Sequence, residues 1–457
     1  MSSLTASLSI ATGAMLAEEG AMQSTSNNLA NVNTPGYSRE VPTFEPNDPV
    51  VSGSISYGEG VNLEGFQGLR DSILNMRIDE EHQNQGDYQS YTAAMNQVQT
   101  LFSDASGGVG GAITSFFNSI SNLTTQPDST SLRSSVLSSA QNVVSTFHNT
   151  ATALSTQQSD LNLQVNQSVE QVNQLSTQIA VLNTKISGMQ ALGENPGSFE
   201  DQRDEAISNL SDIVNVSQTE TENGLTLTTA NGVALVVDGK SFALSTSVDP
   251  ATSMLQVMSG ASNLTAQITS GSLAGTIAVR DAAIPQLQSN LDQLAANFSS
   301  AVNKVHETGV DLNGNPGSAL FSVPPANPTG AAAMIEVNLT DPSHLAMSSS
   351  GPGGNDVANA LLALQNEPVV GDQTPIGAYS QMVFQVGSEI SNAQSASETS
   401  TSILQQLQSQ QSSVSGVSID EETANLMQFQ SGFSAAAHVI TVIDSLLQDV
   451  LGMGVTQ

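Results

Sequence analysis

Cysteine is absent from this chain of 457 residues, and so is tryptophan. Without a thiol there can be no disulfide, no zinc-thiolate site and no cysteine nucleophile. Basic side chains are scarce, nine Lys and Arg against 42 Asp and Glu, for a formal charge of -33. A chain so acidic repels polyphosphate, so neither nucleic acid nor an anionic membrane is an expected partner. No run approaches the roughly 20 apolar residues that cross a bilayer. No basic residue precedes Arg39, so a Sec or Tat leader is not expected. On these grounds the chain is either cytosolic or exported by a route that reads an unstructured N-terminus. The five histidines, His82, His148, His306, His344 and His438, are scattered, with no HExxH and no pair at helical spacing. Metal and triad chemistry lack residues, and no cofactor or metal is expected.

What is present is apolar residue at 38%, enough for folded cores, with only 11% charged residues. The surface is therefore built from Ser, Thr, Asn and Gln, which suits dense packing between like subunits.

Both ends of the chain carry a 3.5-residue repeat. From the start, Leu4, Leu8, Ala11, Met15, Glu18, Met22, Thr25 and Leu29 follow steps of four and three, and six of these are apolar. Near the end, Leu426, Phe429, Phe433, Ala436, Ile440, Ile443, Leu447 and Val450 repeat the pattern, and all eight are apolar. Such a helix is marginal in water until a partner covers its stripe. The ends therefore read as seams that pair with each other and with neighbouring subunits. Asn33-Thr34-Pro35-Gly36 halts the first helix, since Pro followed by Gly favours a turn with positive φ. Ser418 with Glu421, and the acids Asp420 to Glu422, read as a capped helix start.

Between the ends the spacing predicts helices over about 71–103 and through Phe116 and Ile120. A rod of roughly 65 Å follows from Val144 to Ile186, closed by Gly188 and Gly193. From about 213 to 269 the period becomes two, with Asn223-Gly224, Asn231-Gly232 and Asp238-Gly239 as hairpin pairs, so a β meander is expected, including Leu264 to Ile268. Helix resumes near Thr276, followed by a loop-rich region from Gly309 to Gly354 holding Pro324-Pro325 and a strand at Met334 to Leu339. Further helices are expected at about 356–365 and 379–413. The fold class is mainly α with an inserted β domain (α+β): terminal coiled-coil helices, a long helical-rod bundle and a small antiparallel β outer domain. The expected segments are an axial helix and turn (1–40), linker and first rod part (41–210), β domain (211–275), second rod part (276–415, with the loop and strand region 309–354) and C-terminal axial helix (416–457).

Two strings mimic chemistry without supplying it. Asp311-Leu312-Asn313-Gly314-Asn315-Pro316-Gly317 begins like a calcium loop, but Pro316 stands where that loop needs glycine and Ser322 where it needs glutamate; it reads as a polar turn. Gly107 to Gly111 has no following lysine and no preceding strand, so it reads as a hinge rather than a phosphate cradle.

Ser26-Asn27-Asn28-Leu29-Ala30-Asn31-Val32-Asn33-Thr34-Pro35-Gly36-Tyr37-Ser38-Arg39 resembles the N-terminal signature of bacterial flagellar rod, hook and hook-associated proteins. The run from Ser415 to Gln430, with Ile419-Asp420-Glu421-Glu422-Thr423-Ala424-Asn425-Leu426 at its centre, resembles their C-terminal one. The form Asn31, Asn33, Thr34, Pro35, Gly36, Tyr37, Ser38, Arg39 is most similar to the hook-associated protein 1 (FlgK) family. Leu69-Arg70-Asp71, Val279-Arg280-Asp281 and the run Val302 to Leu312 agree with it. The resemblance implies a structural, non-enzymatic protein that is extracellular in the flagellum and exported by the flagellar type III system without a cleaved signal peptide. It would form a ring at the hook-filament junction, with paired terminal helices lining an inner tube. Implied partners are copies of itself, the flagellar hook protein, the next hook-associated protein and an export chaperone. Rivals are a hook or distal-rod subunit, and a secreted adhesin or hydrolase on a coiled-coil stem with Glu220, Glu222, Asp238 and Lys240 in its β insertion.

Overall fold

A computed structural model describes residues 2–52, 55–102, 108–221, 224–322 and 329–454. Pro324, Pro325, Gly107, Glu222 and Asn223 lie outside the described residues. In chain order the elements are α1 (Ser2–Ala30), β1 (Glu40–Pro46), β2 (Val50–Ser52), β3 (Ile55–Tyr57), β4 (Val61–Gly68), α2 (Ser72–Phe102), α3 (Val109–Thr125), α4 (Thr130–Leu192) and α5 (Gly197–Ser211). Strands β5 (Val216–Thr221), β6 (Gly224–Thr229), β7 (Ala234–Val237), β8 (Lys240–Ser241), β9 (Ser245–Val248), β10 (Leu255–Ser259) and β11 (Ser262–Asn263) follow. The chain closes with α6 (Ser272–Ala278), a π-helical turn (Val279–Ala283), α7 (Ile284–His306), α8 (Ala331–Met334), α9 (Asp356–Ala363), α10 (Pro375–Ser415) and α11 (Ile419–Gly454). This is a mainly helical protein with small antiparallel sheets inserted.

The chain divides into two compact units: Met1–Gln83 with Gln171–Leu244 and Ser400–Gln457, and Asn84–Glu170 with Ser245–Thr399. Three of the boundaries fall inside α2, α4 and α10, and the fourth lies just before β9.

Helix α4 runs for 63 residues, about 95 Å at 1.5 Å per residue. It exceeds the rod read from the heptads because its start lies earlier, where the Ser129 hydroxyl accepts the Leu132 N–H at 3.4 Å. Val136, Leu137, Ala140 and Val143 carry its buried face back to that point. Gly188 lies within the helix, and Gly193 ends it at φ 72°. Glu194 N–H bonding the Met189 carbonyl completes a Schellman-type closure.

In the first unit, β5 to β8 form a four-stranded antiparallel sheet in sequence order. Asp238, at φ 51°, turns β7 into β8, and Gly232, at φ 81°, turns β6 into β7. Also in the first unit β1 pairs with β4 and β2 with β3, while β9, β10 and β11 form a separate three-stranded sheet in the second unit. Leu264 to Ile268 is no strand: only Ser262 and Asn263 pair, and Thr265–Gln267 is a 3-10 turn. The Thr265 hydroxyl takes the Val257 N–H at 2.9 Å where a strand partner would sit, and Leu264 and Ile268 bury together. The strand expected at Met334 to Leu339 shrinks to a bridge between Val337 and Phe321, because Ile335 N–H still bonds back helically to Ala331.

The second unit owns the largest core. Phe116 and Phe117 of α3 meet Phe298 of α7 and Phe321, with ring centroids 5.6 to 6.1 Å apart in tilted and edge contacts. Of the glycines read as a hinge, Gly108 caps α3 and Gly110 and Gly111 lie in its first turn instead. Gly110 is buried, and a Cβ there would sit 2.7 Å from the Tyr379 ring.

The loop-rich region is tied to this core by buried polar groups. Asn303 imitates a strand partner, giving its amide to the Phe321 carbonyl at 2.8 Å and accepting the Phe321 N–H at 2.9 Å. His306, fully buried, lies 2.6 Å from the Ser318 carbonyl through Nδ1 and accepts the Ala346 N–H at Nε2. Burial holds its pKa below the ordinary histidine value, which keeps the ring neutral and suits that acceptor role. Asp311 spends its carboxylate on the N–H groups of Asn313 and Asn315 and on the Asn315 amide, as a polar turn does. Arg280 grips Asp281 with two bonds and reaches Asn162, whose Oδ1 also accepts the Leu255 N–H, so the Val279-Arg280-Asp281 string anchors β10.

Candidate assembly interface at the paired termini

In the first unit α1 packs against α11 on one side and against the β1–β4 ribbon on others. Small side chains make this possible. Ala17, Ala21, Ser24, Thr25 and Asn28 are buried along α1, Gly20 faces Leu63, and a Cβ on Gly13 would lie 3.1 Å from the Val61 carbonyl. Glu18, a polar interruption of the first stripe, lies against Gly432 of α11 and is held above the ordinary glutamate pKa by burial.

The two signature strings form a single knot. Asn28 uses its whole amide: Oδ1 accepts the Tyr37 hydroxyl at 2.9 Å and the Glu40 N–H at 3.0 Å, while Nδ2 donates to the Glu40 carbonyl at 2.8 Å and Glu422 Oε2 at 3.2 Å. Arg39 donates from Nε to Glu422 Oε1 at 2.7 Å, and its other nitrogen lies 3.1 Å from Glu421. The Arg39 N–H also bonds the Ser415 carbonyl at 2.9 Å. Glu422 is 2% exposed, so its charge is carried by the arginine and the amide rather than by water. Glu421, read as the return arm of a capping box, reaches across to Arg39 instead. Tyr37 stays a phenol because burial, then Glu40, Asp201 and Glu422, oppose its ionisation.

A second layer holds the turn from below. Asp201 of α5 accepts the Ser38 N–H at 3.1 Å and the Arg70 guanidinium at 2.6 Å. Arg70 also pairs with Glu200 and donates to the Gly197 carbonyl at 2.7 Å. Asn31 and Thr34 bond locally to close α1, and Gly36 takes φ 75°. Asn33, Thr34, Pro35 and Gly36 are exposed.

The seam residues divide by burial. Ala11, Ala436 and Ile443 are buried, and Leu4, Leu8, Met15, Met22, Leu29, Leu426, Phe429, Phe433, Ile440 and Leu447 are half-buried, while Val450 is exposed. Sequence reasoning missed a second stripe one position earlier on α11. Val442 is 47% exposed where Ile443 is 5% exposed, Val439 and Leu446 on the same face are 47% and 46% exposed, and Met427 and Leu451 are exposed towards either end of the helix. The doubled pairs Val439-Ile440, Val442-Ile443, Leu446-Leu447 and Val450-Leu451 signal it, because a helix apolar over two faces is broader than one partner covers. It also passed over Asn28, Glu422, Arg70 and Asp201 as site residues. One window within Pro375–Leu451 is long and apolar enough to cross a membrane by length and composition. It passes on a mean hydropathy of 1.2 and not on an unbroken apolar run.

A family profile described as the flagellar hook-associated protein FlgK helical domain matches residues 95–321. The flagella basal body rod protein profile matches residues 8–37, and the flagellar basal body rod FlgEFG protein C-terminal profile matches residues 408–453. These end profiles fall on the two helices that the knot joins. The chain is 29% identical over 507 residues to flagellar hook-associated protein 1 of Bacillus subtilis, covering 100% of this chain and 99% of that one. It is 28% identical over 542 residues to the Salmonella typhimurium protein of that name, covering 96% and 98%. The structure of the flagellar hook junction protein FlgK from Burkholderia pseudomallei shares the fold, with TM-score 0.67 at 17% identity over 74% of this chain and 100% of that one. With its helical-domain profile, both end profiles and full-length relatives in agreement, the chain is similar from end to end to the flagellar hook-associated protein 1 family.

Proposed function

We propose that this chain is a structural, non-enzymatic component of the hook-filament junction that adds to the flagellum through its joined termini. The observation that carries this reading is the second stripe of α11: α11 packs on α1 within the same chain, and Val439, Val442 and Leu446 remain uncovered. Burying one large aliphatic side chain contributes about 1.5 to 3 kcal/mol, so half-exposed residues on successive turns supply a cooperative seam. The covering surfaces are further copies of the chain and its axial neighbours, the hook protein on one side and the next hook-associated protein on the other. Export by the flagellar type III route, with a chaperone shielding the apolar stripe, fits the same exposure. The uncovered stripe is matched to protein partners, and the charge of -33 argues against nucleic acid and anionic membrane.

Removing residues 420–457 tests the reading. The expected product keeps the phenylalanine core of the second unit, stays soluble and fails to add to hook ends, so that electron microscopy of the mutant cells shows intact hooks without filaments. Normal filament growth on such hooks would overturn it.

A further inference from the structure

Beneath the signature turn the first unit holds a partly open cleft of about 710 Å³ between α2, α5 and β5, lined also by Pro35, Gly36 and Ser38. Its wall holds Asp79, whose side chain is 7% exposed and whose Oδ2 accepts the Gln218 amide at 2.5 Å. Among the described residues no cation pairs with it. Arg70 is committed to Glu200, Asp201 and Asp204, Arg203 lies by Asp204, and His82 bonds Asp212 at 2.8 Å. The charges facing Asp79 are thus His82 from its own helix and the carboxylates of Asp204 and Asp212. Glu205 of α5 and Glu220 of β5 line the same cleft, and α10 contributes the neutral Gln408 and Gln411.

We propose that this cleft is a proton-responsive joint, in which proton uptake at Asp79 draws α2, α5 and β5 together under the signature turn and proton loss loosens them. An ionised Asp79 meets two carboxylates, one amide and a His82 already held by Asp212, in a poorly solvated wall. A protonated one keeps the Gln218 bond on one oxygen and no longer repels Asp204 or Asp212. Burial accordingly pushes Asp79 up to about 7, against the opposing pull of the Gln218 bond. Asp204, about a third of whose side chain reaches solvent, is pushed up in the same direction. His82 is raised above the ordinary histidine value first by its bond to Asp212.

The signs agree. Each group holds its proton more tightly when folded than when unfolded, so the stabilisation is complete at low pH and is lost as pH rises. For Asp79 the loss runs from the ordinary aspartate value to about pH 7, and His82 extends it above pH 6.5. Because Asp201 and Arg70 tie α5 to Ser38, the joint bears directly on the knot that holds the termini.

Hydrogen exchange of the intact, unassembled chain tests this without requiring any flagellar role. After correction for intrinsic exchange, protection in α2 before Gln83 and in β5 is expected to fall about tenfold per pH unit between pH 5.5 and 7. Protection in α3 and α7 should hold steady. Asp79→Asn, an uncharged isostere, should flatten the profile by about one proton and retain protection at pH 8. Should that variant fold poorly, Asp204→Asn should move the wild-type midpoint to lower pH by removing a facing charge. An unchanged slope in Asp79→Asn, an unmoved midpoint in Asp204→Asn, or protection that rises with pH would overturn the proposal.

Discussion

Val442→Asp combined with Leu446→Asp is expected to abolish addition of the subunit to hook ends while leaving the isolated chain folded. Both residues are close to half exposed, whereas the seam residues Ala436 and Ile443 are buried. Exposed substitutions of this kind usually change stability by less than about 0.5 kcal/mol. In an assembled seam, by contrast, each carboxylate would have to leave water beside apolar surface with no cation at hand, a cost of several kcal/mol per charge. The chain's surplus of acid deepens the effect, since a second copy brings more negative charge. The measurement is a binding assay on purified hooks with circular dichroism of the free variant beside it. Full incorporation, or a variant that unfolds before assembly, would count against the stripe as the interface.

The second large effect is expected at the knot. Glu422→Ala should destabilise the start of α11 by about 3 kcal/mol, because removing one partner of a buried pair strands the other. Arg39, 14% exposed, would lose its closest carboxylate, and the Asn28 amide would lose an acceptor. The loss should appear as faster hydrogen exchange in the first turns of α11 and the last turn of α1, with the phenylalanine core of the second unit unaffected. Arg39→Ala combined with Glu422→Ala should cost clearly less than the two single changes summed. Additive costs would mean that the two residues do not support one another.

How much of this could be read in advance follows from how far apart the partners lie. The seam of α11 was legible because a 3.5-residue repeat is written in neighbouring positions, and the stop at Gly193 and the turn at Gly36 because positive φ selects glycine. The hairpin at Asn231-Gly232 was legible for the same local reason. The joining of Asn28 to Glu422 was not, since 394 residues separate them and no local pattern states which carboxylate an amide will meet. The second stripe was visible in the doubled aliphatic pairs, yet its exposure depends on α1 covering only one side. At Leu264 to Ile268 alternation suggested a strand, and a threonine hydroxyl satisfying Val257 N–H removed the need for one. Asn303, His306 and Arg280 stood inside recognisable strings, but only the fold shows that they fasten loops and a sheet.

The central claim is that α1 and α11 form a stem within one chain whose outer face is covered only on assembly. Because the chain lacks cysteine, Val442→Cys places a single thiol on that outer face. The most direct measurement is its rate of alkylation in the free subunit and in intact flagella. The account predicts rapid labelling of the free chain and at least about a hundredfold slower labelling after assembly, as for a fully buried thiol. Equal rates in the two states would contradict it.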